Sequence, residues 1–313
     1  MSTNIIRPKN QAEWLDYRKL SIGSSEVATI VGLNPYETPY QLWRRKLGLD
    51  EPKEMTFAMQ AGIYLEDAVS RFWQDETGYE IIKSSSGTWL IQNKEKPYLQ
   101  VSPDRTFWLK GMPKNNKNKG ILECKTTQGR IDEDDLPKHW FCQLQYQLGV
   151  AELEFGSLAW LCSGREFGYK HITLVPDFFG WLVEEVDKFW IDNIVGKQEP
   201  SAQSVKDILI KYNKHVDGKI IEVDDEIFEA YNNLKELKEE IAALEERKDA
   251  LEEKIKLSFA DAEAISYRGQ TLATWKAPKP SEKFDVKAFS AAYPNLAKEF
   301  TISVQNSRRF LLK

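Results

Sequence analysis

Two carboxylates and a lysine stand close enough in one stretch of this sequence to share a task. From Val101 to Thr127 it reads VSPDRTFWLKGMPKNNKNKGILECKTT, two apolar segments joined by a polar Lys/Asn/Gly run with the composition of a hairpin loop. Asp104 follows a proline on the first segment, and Glu123 and Lys125 lie two apart on the second. Side chains alternate across a strand, so Glu123 and Lys125 share a face while Cys124 points into the packing. Pairing the two strands can bring Asp104 alongside them. Convergent carboxylates repel and raise each other's pKa unless a cation lies between them. A hard divalent ion suits such oxygens: Mg²⁺ takes one or two carboxylates, keeps several waters and binds substrate phosphates. The lysine can orient or deprotonate an attacking water, or neutralise charge building on a phosphate. That chemistry is phosphodiester hydrolysis; the bland alternative for this stretch alone is a surface Glu/Lys ladder on an exposed hairpin.

The flanking elements must hold these groups in place. A short amphipathic helix is expected over Trp14 to Leu20, and Ser24 and Ser25 read as N-cap candidates for a second helix with Glu26 in its first turn. A helix N-terminus, a serine hydroxyl and a nearby arginine make a phosphate pocket, with Arg18 and Ser25 as its candidates; simple capping beside a surface arginine is the plain reading. Thr38-Pro39 opens another helix, ended by Gly48. A longer helix is expected over Thr56 to Thr77, with Ala58, Ala61, Leu65, Val69 and Phe72 or Trp73 on a buried stripe and Gly78 as its stop. Glu66 sits beside that stripe, where a carboxylate can reach the hairpin site from the helix backing the sheet. Strands follow at Glu80 to Lys83 and Gly87 to Ile91. After the hairpin come a helix from Pro137 to Glu152 carrying Gln143, Gln145 and Gln147, strands at Gly156 to Cys162 and Gly168 to Val175, and an aromatic-rich helix from Pro176 to Val195.

With 313 residues, 42% of them hydrophobic, the chain can bury a substantial core and hold more than one structural unit. Its three cysteines, Cys124, Cys142 and Cys162, show no zinc or disulfide spacing, which points to a reducing compartment. The N-terminus has no signal-type apolar region and no run reaches transmembrane length, so a cytoplasmic protein with no membrane partner is expected. The net charge of -5 is unevenly placed. Residues 224–253 hold twelve Asp/Glu against four Lys/Arg, whereas residues 264–313 hold nine Lys/Arg against three Asp/Glu, enough for a phosphate-facing surface.

Five elements in order, YRKLSIGSSE, AGIYLEDA, SPD, LECKT and QLQYQL, resemble the YqaJ and lambda-type alkaline exonuclease family, PD-(D/E)XK nucleases of phages and prophages. The resemblance spans roughly residues 10 to 195. It implies an α/β fold: a restriction-endonuclease-like core with a central mixed β-sheet flanked by helices. It also implies metal-dependent 5′-to-3′ digestion of double-stranded DNA ends, leaving 3′ overhangs for recombination by strand annealing. Asp104 and Glu123 would hold Mg²⁺, or Mn²⁺, with the carbonyl of Cys124 as a further ligand, and Glu66 would extend the site to a second ion. Lys125 would position the water. Arg18, Ser25 and Ser102 would receive the terminal 5′-phosphate, with Gln143 and Gln145 bracing substrate and metal. Gln147 shares the helix face of Gln143 whereas Gln145 does not, so which glutamine matters stays open. The implied partners are DNA ends, a single-strand annealing protein and further copies in a trimeric ring.

The last third of the chain lies outside that resemblance. The core is expected over 1–195, a linker and short helix over 196–223, a long acidic helix over 224–260 and a small basic α+β domain over 261–313. In the long helix Leu234, Leu237, Ile241, Leu244, Leu251 and Ile255 fall at heptad spacing, with Lys248 as a polar intruder. Either an intermolecular coiled coil or one arm of a helical hairpin fits, with packing inside its own protein or oligomer preferred. The small domain should carry a hairpin around Arg268-Gly269, a helix after Asp285 and a final strand in SRRFLLK. Its Tyr267, Trp275, Phe284 and Phe310 among basic residues suit nucleic-acid contact, or else form a core. A structure- or sequence-specific endonuclease on the same fold and a non-enzymatic DNA-binding assembly protein are the competing readings; an iron–sulfur nuclease is disfavoured for want of clustered cysteines.

Overall fold

The Val101–Thr127 stretch does fold as an antiparallel hairpin, and the first two thirds of the chain are layered around it. The computed structural model describes residues 3–51, 54–82, 89–303 and 308–312. In chain order these form β1 (Thr3–Ile6), α1 (Gln11–Lys19), α2 (Ser24–Ile30), α3 (Pro39–Lys46), α4 (Phe57–Thr77), β2 (Glu80–Ile82), β3 (Leu90–Asn93), β4 (Gln100–Val101), β5 (Arg105–Trp108) and β6 (Lys119–Thr127). Then come α5 (Lys138–Ala151), β7 (Phe155–Cys162), β8 (Glu166–Thr173), α6 (Pro176–Lys188) running into a π-helical segment (Phe189–Val195), and α7 (Val205–Lys211). The remainder is α8 (Asp225–Leu257), β9 (Ala264–Tyr267), β10 (Gln270–Thr274), α9 (Val286–Ala292) and α10 (Pro294–Glu299). Two units emerge, Met1–Lys211 and Tyr212–Lys313.

The first unit is the mixed α/β structure expected, a central sheet flanked by helices. Its five strands run in the order β2-β5-β6-β7-β8, parallel only between β6 and β7. A parallel pair needs a crossover, and α5 supplies it. Period-two alternation sorts the sheet residues onto two faces. Ile121, Leu158 and Trp160 meet Trp140, Leu144 and Leu148 of α5, while Leu122, Ala159 and Leu161 meet Val69 and Trp73 of α4. Trp73 is fixed there by its Nε1 donating to Ser157 Oγ at 2.8 Å. A third core packs α2, α3, α5 and α6 against the small sheet β1-β3-β4, around Val27, Leu42, Tyr146 and Leu182. Asp207 of α7 is buried and accepts from Thr38 Oγ1 at 3.0 Å and Gln41 Nε2 at 2.6 Å, which ties residues beyond 195 into this unit.

Local departures from the sequence pattern have identifiable causes. α1 starts at Gln11, ahead of Trp14, because the Asn10 side chain caps it by accepting from Glu13 N at 2.9 Å. α2 is capped by Gly23, not by Ser24 or Ser25, since the Glu26 carboxylate reaches back to the Gly23 N–H at 2.8 Å. α4 has the expected Thr56 cap and a left-handed Gly78 stop (φ 66°), but its buried stripe is short. Val69 and Trp73 are covered, whereas Leu65 and Phe72 are 38% and 47% exposed and Ala58 is also exposed. The expected positions Lys83, Gly87 and Thr88 lie outside the described residues, and the strand there is seen as β3 at Leu90–Asn93.

The second unit has the long helix and the hairpin expected, the latter turning at Arg268-Gly269 with Arg268 at φ 50° and Gly269 at φ 84°. Two short helices follow Asp285, which caps the first by accepting from Ala288 N at 2.9 Å. Residues 308–312 form no strand, against expectation; Ser307 and Lys313 lie outside the described residues. A core made of the named aromatics is not seen either: Tyr267, Trp275, Phe284 and Phe310 are each more than half exposed. α8 buries none of its residues, so of the packing expected for its heptad seam, inside its own protein or an oligomer, the part within one chain is not seen among the described residues.

Candidate active site

The site exists because β6 outruns its neighbour. β5 pairs with β6 only as far as Arg105 opposite Leu122, while β6 continues to Thr127. Asp104 is the first residue past the end of that ladder and bends across the open edge, its Oδ2 accepting the Cys124 N–H at 2.7 Å. The N–H and C=O of one strand residue point to the same side, so the Cys124 carbonyl faces this edge too. The Cys124 side chain packs among the α4-facing core, as alternation requires.

Glu123 and Lys125 lie on the α5 face. Glu123 is 3% exposed, and Lys125 Nζ binds its Oε1 at 2.8 Å. The same ammonium reaches Gln143 Oε1 at 2.8 Å, while Gln143 Nε2 donates to Glu123 Oε1. Gln147 Nε2 donates to Glu123 Oε2 at 2.8 Å and contacts Ser24 Oγ at 3.2 Å. Positions four apart share a helix face, and that face of α5 is the one over Glu123. Gln145 is turned elsewhere. It is fully buried, its amide nitrogen donating to the Thr173 carbonyl and its oxygen accepting the Val175 N–H, both at 2.8 Å, and so it joins the end of β8 to the start of α6.

Glu66 arrives from α4 and pairs with the Arg105 guanidinium, which also donates to the Asp104 carbonyl at 2.7 Å. Arg105, adjacent to Asp104 but on the opposite face of β5, was not marked by any motif. Burial, followed by the charges of Glu123 and Glu66, pushes the Asp104 carboxyl well above its ordinary range, against the pull of Lys125 and the Cys124 N–H. Glu66 is also raised, by burial in excess of what Arg105 offsets. Burial would lower Lys125, but Glu123 and Asp104 outweigh it and keep it an ammonium. Burial pushes the Cys124 thiol well up, which leaves it protonated and unreactive.

Across the same cleft, of about 300 Å³, lie Trp14, Arg18, Ser24, Ser25 and Ser102, with Asp104, Glu66 and Gln143 on the near wall. The Arg18 guanidinium stands 4.8 Å over the Trp14 ring and donates to Ser25 Oγ at 3.2 Å. Ser102 lines the cleft while its hydroxyl donates to the Trp89 carbonyl at 2.9 Å. Beneath this wall Glu26 is buried against Lys46 at 2.7 Å and Arg45 at 2.9 Å. Lys46 Nζ also donates to the carbonyls of Arg18 at 2.7 Å and Ser21 at 2.6 Å, so one ammonium ties the end of α1 to the start of α2. Sequence spacing could not have found Lys46, which lies 28 residues beyond Arg18 on another helix.

Among the described residues, no three His, Cys, Asp or Glu side chains form a ready-made cage for a metal ion. The donor set is nonetheless of the hard-oxygen kind that Mg²⁺ takes when it keeps most of its waters. The charges of Glu123 and Glu66 disfavour the ionised form of Asp104, that of Glu123 disfavours the ionised form of Glu66, and an open-edge backbone carbonyl lies beside them.

The first unit thus sets a carboxylate–lysine cluster at a strand edge opposite a basic, serine-bearing helix end. Residues 13–154 match the YqaJ-like viral recombinase domain. YqaJ of Bacillus subtilis (strain 168), itself uncharacterised, is 27% identical over 295 residues, 91% of this chain and 88% of that protein, so the likeness extends into the second unit. In structure the chain is similar to an alkaline exonuclease from Laribacter hongkongensis (TM-score 0.44, 15% identity, 59% of this chain and 94% of that one). It is also similar to a phage-related exonuclease from Haemophilus somnus 129PT (TM-score 0.40, 12% identity, 57% and 97%). No helix among the described residues is long and apolar enough to cross a membrane.

Proposed function

We propose that this protein is a metal-dependent nuclease that digests double-stranded DNA ends 5′-to-3′, leaving 3′ single strands for recombination by annealing. One observation carries the reading: Asp104 and the Arg18–Ser25 pair open onto a single cleft, with Glu123 and Lys125 joined to it through Gln143. Asp104, Glu123 and the carbonyl of Cys124 are the groups that would hold Mg²⁺ or Mn²⁺, and Glu66 the one that would serve a second ion. Such an ion supplies an acidified water and stabilises charge on the scissile phosphate. Everything else falls to the chain. Gln143 and Gln147 fix the Glu123 carboxylate, and the Lys125 ammonium orients the attacking water and offsets charge developing in the transition state. Arg18 with Ser25 receives a terminal 5′-phosphate, and Ser102 adds a wall to that pocket. A pocket that holds the end sets the polarity, because cutting the next linkage creates a new 5′-phosphate for the same pocket.

Digestion of linear duplex DNA with Mg²⁺ tests this, comparing 5′-phosphorylated, 5′-hydroxyl and covalently closed circular substrates, each with Asp104→Ala as control. Rapid loss of the phosphorylated linear form with the circle intact is expected. Cutting of the circle would replace this reading by an endonuclease, and absence of any metal-dependent cutting would leave a DNA-binding protein. The cytoplasm, where DNA ends and a single-strand annealing partner are found, is the proposed setting. Assembly as a ring around the duplex belongs to the same proposal.

A further inference from the structure

α8 holds 33 residues, and its apolar side chains follow one register from end to end. Ile227, Leu234, Ile241, Lys248 and Ile255 occupy one core position of a heptad repeat, and Ala230, Leu237, Leu244 and Leu251 the other. Leu237, Ile241, Leu244, Leu251 and Ile255 are 46% to 64% exposed, and no residue of the helix is buried. A single helix in water gains little from such a seam, since tertiary packing of the apolar face supplies most helical stability. The seam calls for a second helix of the same repeat.

We propose that this second helix is α8 of another copy of the chain, packed antiparallel. The charges beside the seam select both partner and direction. With the helices antiparallel and centred near residue 246, Leu237 layers with Ile255 of the other copy, Ile241 with Leu251, and Leu244 with Lys248. Lys238 then flanks Glu252 of the other helix and Glu240 flanks Lys254, and twofold symmetry gives each pair twice. Only the centre sets like against like, Glu245 with Glu245 and Arg247 with Arg247, with the two Lys248 ammonium groups close to the glutamates. A parallel pair in register would place Glu240 against Glu245 twice and Arg247 against Glu252 twice, so its flanking charges cancel. Lys238, Glu240 and Lys254 make no ion pair among the described residues, while Glu252 holds Lys256 at 2.9 Å along its own helix. The charges needed for pairing are therefore largely uncommitted. The consequence goes beyond the hydrolytic reading: one particle carries at least two nuclease units, joined through α8.

Sedimentation of the full-length chain over a concentration series tests this, with nuclease activity measured alongside. The pair Ile241→Asp and Leu244→Asp should abolish the α8-dependent association, lowering the limiting mass by half or more, with circular dichroism confirming that the first unit is folded. Lys238→Glu alone and Glu252→Lys alone should each weaken association roughly tenfold, since each turns two attractions into repulsions. Mixed together, the two single variants should associate at wild-type strength, because each supplies the charge the other now needs; a parallel pair gives no such rescue. A mass unchanged by the seam substitutions overturns the proposal outright, and absence of rescue in the mixture overturns the antiparallel pairing.

Discussion

Glu26 and Asp104 are both carboxylates withdrawn from water in the same unit, yet their pKa values move in opposite directions. Burial raises Glu26, but Lys46, Arg18 and Arg45 together bring it below its ordinary value. Burial raises Asp104 as well, and there Glu123 and Glu66 add to the rise. Around Glu26 stand three cations against two anions, Glu26 and the Glu37 that shares Arg45; around Asp104 three carboxylates face the two cations Lys125 and Arg105. On the proposed reading, the unmatched charge at each end of the cleft suits an anion beside Arg18 and a cation beside Asp104. Stability responds to pH with opposite sign. The depressed Glu26 contributes stability that is complete above the ordinary carboxylate range and is lost as pH falls through its lowered value. The raised Asp104, in the absence of a cation, favours folding below the ordinary range, a contribution lost as pH climbs to its elevated value.

The largest expected effect breaks the anionic end. Lys125→Ala should slow single-turnover hydrolysis by about 10³- to 10⁴-fold while duplex binding, read by fluorescence anisotropy, is retained. At the cationic end the corresponding blow is structural. Lys46→Met leaves Glu26 without its closest partner and two carbonyls without a donor, and should cost about 3–5 kcal/mol in urea unfolding. A loss under about 1 kcal/mol would mean that Arg45 and Arg18 suffice to hold Glu26. Next in size is the response to metal. Mg²⁺ at 100 times its Kd should stabilise the wild type by about 2.7 kcal/mol at slightly alkaline pH, and should not stabilise Asp104→Asn, which should itself unfold later than the wild type in chelator. Arg18→Ala should lower the preference for phosphorylated over hydroxyl 5′ ends by roughly tenfold, the value of one charge-assisted hydrogen bond, with the rate on hydroxyl ends unchanged.

The two ends of the cleft differ in how far the sequence revealed them. Asp104, Glu123 and Lys125 sit on paired strands, where period-two alternation and a short hairpin translate spacing directly into position. Arg18 and Ser25 are seven apart across a helix end, which also reads locally. What could not be read was long-range. Lys46 reaches α2 from α3, Arg105 takes Glu66 from another layer, and the Glu26 carboxylate, not a serine, closes the cap at Gly23. The uncovered first half of α4 likewise depends on how far the sheet extends beneath it, which no helical periodicity encodes. In the second unit the heptad seam was visible in full, whereas the absence of a strand at 308–312 was not, because a short apolar run such as Phe310-Leu311-Leu312 makes a strand only once a partner strand is present.

The glutamines of α5 give the finest division between placing a charge and holding a fold, and the smallest expected effect. Gln145→Leu removes the donor to the Thr173 carbonyl and the acceptor of the Val175 N–H, two part-buried bonds to the main chain, so a loss of about 1–3 kcal/mol in stability is expected. Below its melting range that variant should cut DNA at the wild-type rate, since neither bond touches the carboxylates. Gln147→Leu should differ in kind. It takes a donor from the buried Glu123 Oε2, and should lower the rate severalfold as well as costing stability. If Gln145→Leu lost rate too, α5 would be acting as one rigid brace, and the separation drawn between Gln147 and Gln145 would not hold.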